Sequence, residues 1–204
     1  MKSFPQFIET VRFTDGEPQL LDFHHERVKQ VFDEYAVRCT WSLPDVLKQV
    51  LSPIKCGTVK CRVLYDEEVR DIRYTRYQKR GINSLKAVPM PVSLDYHLKY
   101  ADRKVLQDCY EQKGAADDIL LFRENGEITD TSYSNILLRK EHQLYTPAHP
   151  LLKGVQRSWL LERGIISEKV IYLSELSDYD SVLLINAMMP IDYCIEVPVT
   201  HILL

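Results

Sequence analysis

The chain has 204 residues, of which 45% are hydrophobic and 27% charged, and this composition excludes a disordered or collagen-like protein. Its 26 Lys and Arg residues oppose 29 Asp and Glu residues, so no global charge directs it to nucleic acid or to an anionic membrane. No apolar signal segment opens the chain, and no apolar run approaches the ~18 residues that a membrane span needs. We therefore expect a globular, cytoplasmic protein.

The first predicted elements are a strand over residues 7–13 and a hairpin turn at Asp15-Gly16. Asp22 is placed to cap a helix that runs to about residue 38 and turns Val28, Val31 and Phe32 inward, with His24 and Arg27 off that face. We interpret His24 and His25 as surface histidines. Ser42, with Asp45 three residues later, predicts the start of a second helix.

From residue 57 the hydrophobic period changes to two, which predicts an antiparallel meander of strands over residues 57–65, 69–77 and 85–92. Pro89 and Pro91 end this half of the chain, because proline cannot continue a central strand. We therefore predict two lobes, an N-terminal lobe over residues 1–93 and a C-terminal lobe over residues 94–204.

The second half is predicted to begin with a helix over residues 101–113 and a strand over 118–122, followed by an Asn125-Gly126 turn. Further patterns predict a strand starting at Ile128, a helix that opens at Gly154, and strands over 135–138, 144–146, 169–173 and 182–186. Strands dominate and no βαβ rhythm is visible. The expected class is therefore α+β, with two lobes of mostly antiparallel sheet and flanking helices.

Residue type and spacing also bear on RNA binding and on cysteine chemistry. Residues 70–80 interleave arginines with tyrosines, as a single-stranded RNA platform would, although a solvated strand is the simpler interpretation in an acidic chain. The cysteines are odd in number and form no C-x-x-C pair, so neither a disulfide framework nor a metal site is expected at Cys39, Cys56, Cys61, Cys109 and Cys194.

Several segments, taken in order, resemble one family. Residues 7–12 (F-I-E-T-V-R) and 24–28 (H-H-E-R-V) resemble the "F-E-T-x-R … H-x-x-R-L" opening of the fold-type IV pyridoxal-phosphate enzymes, the class IV aminotransferases. Residues 97–103 (H-L-K-Y-A-D-R) resemble the Schiff-base lysine segment of the 4-amino-4-deoxychorismate lyases in that family. Residues 126–136 resemble its "G-x-[IV]-x-E-x-x-x-x-N-[IL]" motif, and the segments 154–157 and 186–191 match later signatures in the right order.

The resemblance implies a cofactor, pyridoxal 5′-phosphate, and assigns residues to it. Lys99 is the expected catalytic amine, which would also move protons as a general base and acid. Asp130 stands where the family has a glutamate facing the pyridine nitrogen, although an aspartate that caps its own turn is the alternative. The remaining cofactor-binding residues would hold the phosphate: Arg27, Val155, Gln156, Asn186 and Ala187.

The family also implies an activity. The lysine segment and the N-A-M-M-P-I segment favour an aminodeoxychorismate lyase, which would release pyruvate and leave 4-aminobenzoate for folate biosynthesis. An aminotransferase for branched-chain or D-amino acids is the runner-up, and a non-catalytic RNA- or partner-binding relative is the third hypothesis. Arg12 and Arg103 are weaker candidates for a substrate carboxylate, with a surface ion pair as the alternative. A homodimer, shortened at both ends relative to the family, is also expected.

Overall fold

The computed structural model describes residues 4–50 and 52–204 and divides into two compact units. The first unit combines the described residues up to Gln78 with Leu98–Asp102, and the second combines Lys79–His97 with Arg103–Leu204. Each unit is therefore built from two separate stretches of chain. The division into lobes at residues 93 and 94 is a single cut and stays a prediction.

The first unit is a four-stranded antiparallel sheet with two helices. In chain order the elements are β1 (Phe7–Thr14), β2 (Glu17–Pro18), α1 (Leu21–Glu34), α2 (Leu43–Gln49), β3 (Thr58–Tyr65) and β4 (Val69–Arg76). The strand order across the sheet is β2-β1-β3-β4.

Two of the predicted local signals are confirmed in this unit. Asp15 and Gly16 both have positive φ, at 50° and 91°, as the tight turn between β1 and β2 requires. At the start of α2, the Ser42 hydroxyl accepts a hydrogen bond from the Asp45 amide at 3.2 Å. Both features follow from residues within four positions of each other, which explains why the sequence predicts them.

The buried face of helix α1 differs from the prediction. The helix begins at Leu21 after Leu20, which has a φ of 52°, and Asp22 makes no capping hydrogen bond. His24 is fully buried and Arg27 is nearly so, beside Val28 and Val31 on the same face. The interpretation of His24 as a surface residue is therefore wrong. The physical reason is the buried carboxylate of Glu9 on the opposing strand, which both side chains contact.

The second unit contains two sheets. In chain order its elements are β5 (Leu85–Pro89), α3 (Lys104–Tyr110), β6 (Asp118–Phe122), β7 (Asn135–Lys140), β8 (Gln143–Pro147), α4 (Val155–Glu162), β9 (Ser167–Lys169), β10 (Ser181–Ile185), β11 (Ile195–Pro198) and β12 (Ile202–Leu203). The larger sheet has the strand order β11-β10-β7-β8-β9, and the smaller has the order β12-β5-β6.

The α+β class is confirmed, and three details of the prediction are corrected. Strand β5 does not extend the meander: it pairs in parallel with β6 and with β12, so β5, α3 and β6 form a βαβ unit. Ile128 makes only an isolated bridge with Phe122 rather than starting a strand. β9 covers Ser167–Lys169 rather than residues 169–173, and a 3-10 helix over Leu173–Asp178 follows, in which Glu175 accepts from the Tyr172 amide.

Over the described parts of the chain, no helix is long and apolar enough to cross a membrane. In those same residues, no group of three or more His, Cys, Asp or Glu side chains is arranged to hold a metal ion.

Candidate active site

Lys99 is held against the first strand by its neighbours in the chain. The Ile8 amide donates to the Lys99 carbonyl oxygen at 3.0 Å, and the Ala101 amide donates to the Gln6 carbonyl at 2.8 Å. The ring of Tyr100 lies 5.2 Å from that of Phe7, centre to centre. These contacts fix the backbone of Lys99 beside β1, while the side chain itself is half-buried.

Beside this strand, three polar side chains meet inside an otherwise apolar face, and we refer to Glu9, His24 and Arg27 as the Glu9 cluster. Arg27 binds the carboxylate with two hydrogen bonds, from Nε to Oε1 at 2.8 Å and from Nη2 to Oε2 at 2.6 Å. His24 Nδ1 lies 2.5 Å from Oε2 of the same carboxylate. Glu9 shares its face of β1 with Phe7 and Val11, so a carboxylate there needs these partners.

The cluster fixes the charge of its members. Burial alone would raise the pKa of Glu9, but the charge of Arg27 and the hydrogen bond from His24 outweigh it and hold the pKa at about 2. Burial lowers the pKa of His24, and the positive charges of Arg27 and Lys99 lower it further, against the opposing effect of Glu9. At neutral pH the cluster therefore contains an ionised Glu9, a cationic Arg27 and a neutral His24.

Several buried polar atoms lack hydrogen-bond partners among the residues that the structure describes. They include His24 Nε2 and the hydroxyl oxygen of Tyr65, and also Nδ1 of the neighbouring His25. Burial raises the pKa of Tyr65 above its usual range, and the negative charge of Glu9 adds to this, so the hydroxyl keeps its proton. Unsatisfied buried polar atoms are uncommon, and they point to a ligand or water that binds there.

In the second unit, Asp130 is buried and held by two donors from other parts of the chain. Its Oδ1 accepts from Asn135 Nδ2 at 2.8 Å, and its Oδ2 accepts from the Leu152 amide at 2.9 Å. Burial raises the pKa of Asp130 to about 6, against the lowering effect of these hydrogen bonds. The side chain does not cap its own turn, since Thr131 closes that turn through Ser134.

The start of helix α4 packs against the partner of Asp130. Gly154 caps the helix with extended backbone angles, and Val155 and Gln156 follow it as buried residues. A Cβ on Gly154 would lie 2.0 Å from Asn135 Oδ1, which no side chain can tolerate. Glycine therefore allows the start of α4 to approach Asn135 this closely.

Asn186 joins the same network from the end of β10. Its Oδ1 accepts from the amides of Met188 and Met189 at 2.8 and 3.0 Å, and its Nδ2 donates to the Ser134 hydroxyl at 3.1 Å. Ala187 is half-buried within the turn that this side chain closes. The structure therefore brings Asp130, Asn186 and the start of α4 into one hydrogen-bonded region of the second unit.

The two arginines suggested for a substrate carboxylate lie in different units. Arg12 is half-buried on β1, and the alternation along the strand puts it on the face opposite Glu9. Arg103 donates to the Ser132 carbonyl, and its guanidinium lies 5.7 Å from the centre of the Tyr96 ring. Arg12 is thus not brought to the Glu9 cluster, whereas Arg103 is held at the turn that follows Asp130.

Two arginines of β4, within the segment considered above as an RNA platform, are paired with carboxylates. Arg70 Nε lies 2.8 Å from Asp66, and Arg70 Nη1 lies 3.1 Å from Glu68. Arg73 Nε lies 2.7 Å from Asp71. These ion pairs reduce the local positive charge that phosphate binding would need.

The sequence profile of the family described as amino-transferase class IV matches residues 6–194. The chain belongs to this family. An uncharacterised protein of Haemophilus influenzae is 32% identical over 187 residues, covering 91% of this chain and 98% of that protein. The crystal structure of a candidate 4-amino-4-deoxychorismate lyase from Haemophilus somnus is 30% identical, with a TM-score of 0.83 over 92% of this chain and 98% of that one.

A third relative carries an assigned activity. The aminodeoxychorismate lyase of Bacillus subtilis is 24% identical over 185 residues, covering 76% of this chain and 63% of its own length. This chain therefore spans less than two thirds of that lyase. Membership of class IV confirms the resemblance stated above and makes the chain a pyridoxal-phosphate-dependent enzyme.

Of the three residues in the Glu9 cluster, only Arg27 is identified as a functional candidate from the sequence, whereas Glu9 and His24 are not. A signal for each is present in the chain. Glu9 is a charged residue in the alternating apolar row of β1, and His24 stands one helical turn before Arg27, on the same face. A buried charge in such a row needs partners from the facing helix, and these two positions supply them.

Proposed function

We propose that the chain is a lyase that converts 4-amino-4-deoxychorismate to 4-aminobenzoate and pyruvate with pyridoxal phosphate as cofactor. The observation that carries the proposal is the family match over residues 6–194, together with the similarity to the Bacillus lyase and the Haemophilus somnus structure. We propose further that the enzyme is a cytoplasmic homodimer that serves folate biosynthesis.

The residues present fit the cofactor. Phosphate requires cationic and amide donors, and the chain offers the guanidinium of Arg27, which Glu9 orients, and the first-turn amides of Val155 and Gln156. The buried, unpartnered atoms of His24 and Tyr65 are consistent with a polar ligand near Arg27. Asp130 supplies a carboxylate that is mostly ionised at neutral pH, as a protonated pyridine nitrogen requires.

Each residue has a distinct task in the proposed reaction. When bound, pyridoxal phosphate supplies a ring that withdraws electrons from the α-carbon of the substrate. Lys99 would hold the cofactor through its amine and afterwards carry a proton between substrate atoms as a general base and acid. Asp130 would keep the proton on the pyridine nitrogen, because an ionised carboxylate favours the charged ring. Asn186 and Ala187 would complete the phosphate site, and Arg103 would orient a substrate carboxylate.

The first experiment tests Lys99. The purified protein is mixed with pyridoxal phosphate, reduced with borohydride and digested, and the modified peptide is identified by mass spectrometry. We expect the cofactor mass on Lys99, loss of the visible absorbance band in Lys99→Ala, and normal loading in Lys48→Ala, a solvent-exposed lysine of helix α2. Cofactor absent from Lys99, or an unchanged band in Lys99→Ala, would refute the proposed role.

The second experiment separates the lyase from the aminotransferase. The loaded enzyme is given 4-amino-4-deoxychorismate without any keto acid, and pyruvate is followed with a coupled assay. A lyase forms pyruvate under these conditions, since elimination needs no amino acceptor. Product that forms only after a keto acid is added would assign the chain to the aminotransferases instead.

A further inference from the structure

The Glu9 cluster leaves the proposed phosphate site short of positive charge. Arg27 is the cation expected to bind phosphate, but Glu9 binds that guanidinium through both carboxylate oxygens. Because the pKa of Glu9 is about 2, the carboxylate is ionised at any working pH and offsets the charge of Arg27. A phosphate monoester carries up to two negative charges, so a further cation beside Arg27 would strengthen its binding.

His24 is placed to become that cation. Its Nδ1 is anchored on Glu9 Oε2 at 2.5 Å, which fixes the ring and leaves Nε2 as its other polar atom. Nε2 is buried and lacks a partner among the described residues. A buried polar atom left unsatisfied destabilises the folded protein, and a ligand that binds it removes that penalty.

We infer that His24 is a further phosphate-binding residue, which takes up a proton at Nε2 when phosphate binds and then holds the anion together with Arg27. This inference rests on the proposed cofactor but adds a residue and a proton to it. The bond that forms is the N–H bond at Nε2, and the bond that breaks is an O–H bond of solvent or of the phosphate monoanion, which gives up the proton. Nε2–H then donates a hydrogen bond to a phosphate oxygen.

The charges that face His24 explain why protonation depends on the ligand. They come from Glu9 on β1, Arg27 on α1 and Lys99 in the segment Leu98–Asp102. Without an anion, burial and the two cations keep the pKa of His24 below its usual value, and Glu9 only partly opposes them. An added phosphate would oppose the effects of burial and of the two cations, because its negative charge favours the imidazolium form.

The rival interpretation is that His24 only helps Glu9 to hold Arg27 in place. Two substitutions, His24→Asn and His24→Gln, distinguish these interpretations, because each places a side-chain amide at the position of only one of the two ring nitrogens. The side-chain amide of His24→Asn can replace Nδ1 and still donate to Glu9, but it has nothing at the position of Nε2. The amide of His24→Gln reaches the position of Nε2 instead. His25→Asn, at the next position on the helix, is the matched control.

The test measures the binding of three ligands by calorimetry: inorganic phosphate, pyridoxal phosphate and phosphate-free pyridoxal. Each titration is repeated in buffers of different ionisation enthalpy, because the change in binding heat between buffers gives the number of protons taken up. Nitrogen NMR of labelled histidine in the unsubstituted protein reports the charge of His24 directly. We expect proton uptake and an imidazolium signal with both phosphate compounds but not with pyridoxal. We expect phosphate affinity to fall at least tenfold in His24→Asn and to remain unchanged in His25→Asn.

The outcomes separate this inference from the proposed function. Pyridoxal phosphate that loads on Lys99 while His24 stays neutral would overturn the inference and leave the proposed function intact. Unchanged phosphate affinity in His24→Asn would overturn the inference as well. Failure of pyridoxal phosphate to load at all would overturn the proposed function. Because the NMR measurement uses the unsubstituted protein, it decides the matter even if a variant fails to fold.

Discussion

Glu9 and Arg27 form a two-point ion pair inside an apolar sheet face, with both side chains almost completely excluded from water. Such a pair contributes little net stability when intact, since the loss of hydration offsets the attraction between the charges. Removal of one partner is different, because the other charge then stays buried without compensation. The pair therefore makes the first unit sensitive to substitution at either position.

Glu9→Gln should consequently destabilise the protein strongly. We expect the free energy of unfolding in urea to fall by about 3–5 kcal/mol, because Arg27 loses a buried counter-charge. Glu26→Gln is the control: Glu26 pairs with Lys29 on the exposed side of helix α1, which also carries Arg27, so we expect a much smaller change in the free energy of unfolding. Equal effects of the two substitutions would mean that the buried pair has no special importance.

The same carboxylate should make stability depend on acid. The pKa of Glu9 is about 2 in the folded protein against 4.5 as the reference for the unfolded chain, so the unfolded chain binds the proton first as the pH falls. By proton linkage, about 3 kcal/mol of stability is present above pH 4.5 and is lost as the pH falls toward 2. Urea titrations between these values should show a flatter profile for Glu9→Gln than for the unsubstituted protein.

Asp130 should have the opposite dependence in a different pH range. Its pKa is about 6 in the folded protein against 3.8 as the reference, so between these values the folded protein binds more protons than the unfolded chain. Stability from this group therefore decreases as the pH rises from about 4 to 6. In Asp130→Asn this decrease should disappear from the unfolding profile. A decrease of equal size in the variant would assign it to another group.

Gly154→Ala should disturb the region around Asp130. The new methyl group would overlap Asn135 Oδ1, and we expect a loss of about 1–3 kcal/mol as the side chain or helix α4 shifts. Gly81→Ala is the matched control, because a Cβ there meets nothing within 4 Å. In an Asn135→Ala background the cost of Gly154→Ala should be much smaller. Additive losses in the double variant would contradict a steric origin.

Local signals in the sequence predict much of this fold. The Asp15-Gly16 turn, the Ser42 cap and the helix opening at Gly154 each depend on residues close together in the chain. The parallel pairing of β5 with β6 was not predicted, because strands joined through a helix carry no short turn signal between them.

The polar residues of the candidate site show a similar division. Arg27 and Asp130 stand within motifs, so the sequence singles them out. Burial of His24 could not be read from helical periodicity, because that pattern treats every polar residue as outward-facing. His24 faces inward because Glu9, fifteen positions earlier, provides the partner. A contact between two elements determines its place, and the helical pattern by itself does not contain that contact.

The hydrogen bond from the Ile8 amide to the Lys99 carbonyl joins two segments that are far apart in the chain, so the first unit is completed late in synthesis. During synthesis, β1, α1, β3 and β4 emerge from the ribosome before residues 98–102 do. Until this segment emerges, the Ile8 amide lacks the Lys99 carbonyl as an acceptor, and the ring of Phe7 lacks its contact with Tyr100. An incomplete sheet of this kind favours chaperone binding or association between nascent chains. The backbone of Lys99, the lysine proposed for catalysis, thus also provides a late hydrogen bond to the first sheet as the chain folds during synthesis.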